Sequence, residues 1–200
     1  MQLNFRISSL LNGTLHKEPT LVFNFKFPWG LMILYYEIPK HLAKYLNHVP
    51  KQQQNQEDSN HNDNQTKPNL DNVSPGERAF ANWIMGDDEY KNQRLKLIPI
   101  VVEGPWVVRN LVTGKPAIIG TKLPISYYKC HHNIMVAELD IGNSSATAKR
   151  IVSLCRRYMK SLTVDIGFVI QGNTQQELPE QMVGSIRIHG VDPIKAPTFS

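Results

Sequence analysis

The chain has 200 residues, is 41% hydrophobic, contains two cysteines and carries a formal net charge of +5. That length and apolar share suit one packed domain, and two cysteines cannot form a disulfide framework, so Cys130 and Cys155 are read as free thiols of a cytosolic protein. No apolar run reaches the ~18 residues of a membrane span, and residues 1–21 lack the apolar stretch of a signal peptide. The mild basicity allows contact with acidic lipid headgroups or nucleic acid but demands neither, and the sequence has no nucleic-acid-binding motif.

Residues 20–39 read as two strands around Pro28-Trp29-Gly30. Phe23, Phe25 and Phe27 alternate with Asn24 and Lys26, the period of a half-buried strand. The following stretch, Leu31 to Tyr36, is apolar on both faces and reads as a central strand. Residues 40–49 suit a short helix. Residues 50–72 are dominated by Asn, Gln, Asp and Lys, hold almost nothing to bury, and read as a disordered insertion. His61 within it reads as solvated.

Order is expected to resume at Ser74, which caps a helix with Pro75 at its first position and Glu77 completing a capping box. Phe80, Trp83 and Ile84 follow at helical spacing, Gly86 ends the turn, and Asp87 starts a second short helix. Residues 97–102 form an apolar strand interrupted by Pro99, which belongs at an edge, an end or a bulge. Glu103-Gly104-Pro105-Trp106 closes it as a stiff corner. Residues 107–112 and 117–120, separated by Thr113-Gly114-Lys115-Pro116, read as a β-hairpin. Trp106 is expected to plug the corner from inside.

Residues 134–141 form a strand with Glu138 and Asp140 on one face. Gly142-Asn143-Ser144-Ser145 opens the longest helix. Its apolar stripe is Ala148, Ile151, Val152, Cys155, Tyr158, Met159 and Leu162. A second stripe, Lys149, Arg150, Arg156, Arg157 and Lys160, stands apart from the first. A basic stripe on an amphipathic helix suits an anionic lipid surface, or is simply a solvated face. Two more strands, 162–170 and 182–188, end the pattern, with a turn and the loop 175–180 between them. The sum is an α+β domain: a mostly antiparallel sheet packed against one long amphipathic helix and shorter helices. A START-like grip of helix by sheet is kept open.

Catalytic and metal motifs are absent from the sequence. Cys130-His131-His132 lacks the second ligand pair that zinc needs and reads as a loop with exposed histidines, so no metal or cofactor is expected. Glu138, Asp140 and Asp165 would serve a hydrolase only if they met in a cleft. Asp165 interrupts an apolar strand and calls for an exposed face or a buried partner such as an arginine, with Arg94, Lys96, Arg109 and Arg187 available. Asn143-Ser144-Ser145 could cap the helix or hold an anion on its N–H groups.

Five segments carry a family resemblance: NQRLKLIPIVVEGPWVV, GKPAIIG, ELDIGNSSATA, VDIGFVIQG and ELPEQMVGSIR. In this order they resemble the C-terminal domain of the plant Enhanced Disease Resistance 2 family, from Phe23 to about Val191. Arg94, Lys96, Leu97, Ile98, Pro99, Glu103, Gly104 and Trp106 match its opening pattern. Leu95 stands where the family has Phe, Val136 where it has a further acid, and Asn143 where it has Ser. The resemblance implies a single domain over 1–200, interrupted by the insertion. It also implies a non-enzymatic, lipid-associated regulatory role at cytosolic membrane surfaces, with anionic lipids as partners and no nucleic acid. The alternative is a protein–protein interaction module without lipid contact.

Overall fold

The computed structural model describes residues 18–48, 68–112, 114–130 and 133–197. Among these, the strands form two four-stranded sheets. The first contains β1 (Thr20–Phe27), β2 (Gly30–Glu37), β5 (Ile125–Cys130) and β6 (Ile134–Asp140) in the order β2-β1-β6-β5. The second contains β3 (Leu95–Glu103), β4 (Ala117–Ile118), β7 (Thr163–Ile170) and β8 (Met182–His189) in the order β4-β3-β7-β8. All pairings are antiparallel except β1 with β6. The expected single sheet is therefore two, and one of them is mixed.

The inner faces of the two sheets share one core. Phe23 of β1 stacks on Phe168 of β7 at 3.8 Å between ring centres and 3° between planes, with Tyr36 edge-on to both. Such aromatic contacts add to the stabilisation from area alone. Helix α1 (Pro75–Met85) contributes Phe80, Trp83 and Ile84 to the same core. Ser74 caps it by accepting from the Glu77 N–H at 3.2 Å. Glu77 turns its carboxylate to the Tyr45 hydroxyl at 2.7 Å, which leaves the expected capping box half made. Helix α2 (Asp88–Asn92) starts where Asp87 accepts from the Tyr90 N–H, as its sequence indicates.

Several expectations change. The apolar run after Gly30 is an edge strand, and the alternating β1 is central; Asn24 is fully buried despite its polarity. The helix expected over residues 40–49 is a 3-10 turn, Ala43–His48. Cys130, read as part of a loop, lies buried in β5, a strand the sequence reading missed. His131, His132 and His61 lie outside the described residues. So does most of the low-complexity stretch, 50–67. Of its remaining residues, Leu70 packs on the main core, and the carbonyls of Leu70 and Asp71 accept from Arg78.

The largest correction follows the Gly104 corner. Residues Trp106–Leu111 are helix α3, not a strand, and β4 pairs with Lys96 and Leu97 of β3. Valine favours strands only weakly, and the helix wins because it buries Val108 against Val101 and Leu162. Gly104 has φ +146°, and a Cβ there would lie 2.3 Å from Leu162 Cδ2. Leu162, not tryptophan, fills the corner, and Trp106 is 71% exposed. Pro99 lies in β3 just beyond its last pairing with β4, where the strand becomes an edge. The bulge falls later, between Val101 and Glu103.

Candidate membrane-facing surface

Helix α4 (Ala146–Tyr158) begins where Ser145 Oγ accepts from the Ala148 N–H at 3.2 Å. Asn143 is engaged with Asp140 through its N–H (3.0 Å) and its side-chain amide (2.8 Å), and Ser144 Oγ donates to the Ile141 carbonyl. The three polar residues before the helix thus cap and brace the chain.

The helix lies at the periphery, with none of its residues fully buried. Val152 packs on the main core, while Leu154, Cys155 and Tyr158 pack with α3 around Val108 and Leu162. On the other side stand Lys149, Arg150, Arg156 and Arg157, all exposed, continued by exposed Lys160 in the 3-10 turn that follows. Lys149 to Arg156 and Arg150 to Arg157 are each seven residues apart, close to two full turns, so the stripe runs along one face for ~16 Å. From 146 to 161 the chain has five basic residues and no acidic one. Opposite charges three or four residues apart stabilise a helix face, and this face has no such pair within its own sequence.

Two of the five are engaged elsewhere. The Arg156 guanidinium lies 4.7 Å from the Trp29 ring centre, and Trp29 stacks on Phe27 at the tip of the β1–β2 hairpin. Lys160 Nζ pairs with Asp192 at 2.9 Å, and the hydrogen bond from Lys160 holds the Asp192 carboxyl below its ordinary value. Lys149, Arg150 and Arg157 have no acidic partner among the described residues.

The acids do not converge. Glu138 and Asp140 share the outer face of the first sheet, where Lys26 lies 3.8 and 4.0 Å from them. Tyr128 and Asn24 donate to Glu138 at 3.3 and 3.4 Å. Asp165 lies on the second sheet, held by Arg187 in two bonds of 2.6 and 2.7 Å. The hydrogen bond from Arg187 lowers the Asp165 pKa, so the odd strand acid has the basic partner its position called for. No three His, Cys, Asp or Glu side chains among the described residues are placed to hold a metal ion.

The two basic residues that open the family motif are scaffold. Arg94 and Lys96 at the start of β3 hold Glu177 (3.0 Å) and Glu180 (2.8 Å) of the loop before β8. The segments RLK and ELPE are therefore two halves of one brace.

The family model for "Protein ENHANCED DISEASE RESISTANCE 2, C-terminal" matches residues 4–192. The chain belongs to that family. A relative described as "Protein ENHANCED DISEASE RESISTANCE 2-like", from Arabidopsis thaliana, is 37% identical over 113 residues, which is 56% of this chain and 15% of that protein. The matched stretch is thus a small part of that longer relative. No solved structure matches the chain.

Sequence reasoning found the basic stripe but missed its neighbours. Trp29 under Arg156 could have been suspected from its place in the Pro28-Trp29-Gly30 turn. The exposure of Trp106 had no sequence signal, because aromatic residues beside a turn are more often buried than not. No helix among the described residues is long and apolar enough to cross a membrane.

Proposed function

We propose that this domain is a non-enzymatic regulatory module that docks on anionic lipid headgroups at a cytosolic membrane surface through the basic face of α4. The observation that carries this reading is the stripe of five exposed basic residues along a peripheral helix and the turn that follows it, with no acid between residues 146 and 161. Each basic residue close to an anionic surface contributes about 1 kcal/mol, so Lys149, Arg150 and Arg157, which have neither an acidic nor an aromatic partner among the described residues, contribute about 3 kcal/mol. Recruitment is weak and salt-sensitive, because screening shortens the reach of each charge. Co-sedimentation with vesicles containing phosphatidylserine tests it. Wild type should bind at low salt, and Arg156→Glu with Arg157→Glu should not. Equal binding by both removes the helix from the mechanism.

Surface docking is preferred over a START-like grip around an internal lipid. The pocket between β2, the start of α1 and β8 has a volume of about 230 Å³ and is lined by Glu77, His41 and Gln181 as well as apolar residues. Pockets for drug-sized ligands run from about 300 to 1,000 Å³, and a two-chain lipid needs more.

One observation favours the protein-partner reading. Ile98, Ile100 and Val102 follow one another on the outer face of β3, and Met182 reaches toward them over Gly167. Ile100, Val102 and Met182 are exposed. Loss of a partner on Ile100→Lys, with vesicle binding absent in wild type, would decide for that reading.

A further inference from the structure

We infer that Trp106 and Ile194 form an apolar insertion tip at the C-terminal end of the basic helix, one that enters the headgroup–acyl boundary of an anionic bilayer. This rests on the membrane-surface reading and specifies how the surface is held. The two side chains are 71% and 86% exposed, the largest values among the exposed large apolar residues. They come from segments far apart in sequence that meet at the turn after α4. Gly104, two residues before Trp106, packs against Leu162. On the other side, the Gly190 N–H donates to the Leu162 carbonyl at 3.0 Å. Asp192 pairs with Lys160 and also accepts from the Ile194 N–H at 3.2 Å, which fixes the short turn Pro193–Lys195 that presents Ile194. Thr163 ties the same two segments together, with Glu103 at 2.8 Å and His189 at 2.7 Å.

The charge around this end suits the occupant. Arg157 lies in the last turn of α4 and Lys160 in the turn that follows, Arg109 follows Trp106 by one turn of α3, and Lys195 follows Ile194, all four exposed. Tryptophan favours the interface, where its ring is apolar and its N–H stays wet. Basic side chains at headgroup level complete the arrangement seen in peripheral membrane anchors. Neither apolar residue supports the fold from its position, so both are free to leave water.

The test uses phosphatidylcholine vesicles containing phosphatidylserine, with brominated acyl chains as quencher. Wild-type tryptophan emission should shift to the blue and be quenched on binding, and Trp106→Phe should remove that change. Trp106→Ser combined with Ile194→Ser should weaken partitioning about tenfold or more, since each large apolar side chain withdrawn from water contributes on that order. Circular dichroism should be unchanged. If wild type binds but Trp106 is not quenched and the double variant binds equally, the tip is refuted and headgroup docking by α4 stands. If wild type does not bind these vesicles at all, the membrane-surface reading falls and the tip falls with it. If wild type self-associates without lipid, by light scattering, and the double variant does not, the tip is an interface between copies and the inference is overturned.

Discussion

Arg94 and Glu177 lie 83 residues apart in sequence and meet through Nη1 and Oε2 at 3.0 Å, with Glu177 only 2% exposed. The same carboxylate accepts from the Asn82 side chain and the Asn173 N–H, both at 2.9 Å. It therefore joins α1, β3 and the loop before β8. Removing one partner of a buried ion pair costs about 3–5 kcal/mol, because the other charge is left uncompensated. Arg94→Met should destabilise by that amount in denaturant titration. A cost under 1 kcal/mol would show that the pair is not buried in solution.

Glu177 also sets an acid limit. Burial works to raise its pKa, but the hydrogen bonds from Asn82, the Asn173 N–H and Arg94 outweigh burial and hold it below the ordinary value. A carboxylate shifted down in the fold contributes stability that is fully present above about pH 4.3, its unfolded value, and is lost as pH falls through the folded value. The stability difference between wild type and Glu177→Gln should be constant near neutrality and shrink below about pH 4. Melting temperatures of the two proteins across that range check it.

Lys91 titrates in the opposite setting. It is 2% exposed, lies 5.5 Å from the Tyr127 ring centre and donates to the Gly86 carbonyl. Burial lowers its pKa. The unfolded chain then holds the proton more firmly than the folded one, so stability rises with pH between the lowered folded value and about 10.4. Lys91→Met should remove that rise. Parallel stability curves for the two proteins between neutrality and pH 10 would contradict it.

Trp83 and Trp106 should behave in opposite ways. Trp83 is fully buried, and its Nε1 donates to the Lys91 carbonyl at 3.3 Å. Trp83→Ala should cost about 3–5 kcal/mol. Trp106→Ala should stay within about 0.5 kcal/mol, as exposed sites do. Chemical denaturation of both variants is the measurement.

The low-complexity stretch should divide at its end. Deleting residues 51–66 should leave the melting temperature nearly unchanged. Extending the deletion through Leu70 should lower it, because Leu70 packs on the core and Arg78 loses the Leu70 carbonyl as an acceptor. Equal melting temperatures would show that Leu70 contributes nothing.

What the sequence determined by itself was local. Ser74, Asp87 and Ser145 announced their helices because a capping side chain acts within three residues. The two faces of α4 were legible because helical periodicity is a property of spacing alone. The family was legible from motifs in fixed order. Other features depended on partners distant in the chain. The apolar run after Gly30 became an edge strand because β1 pairs on its other side with β6, over a hundred residues away. Residues 106–111 became a helix because Val108 is buried against Val101 and Leu162. The motif charges Arg94 and Lys96 became braces because the chain returns to place Glu177 and Glu180 beside them. Burial and ion pairing depend on which segments meet, and only the tertiary structure brings those segments together.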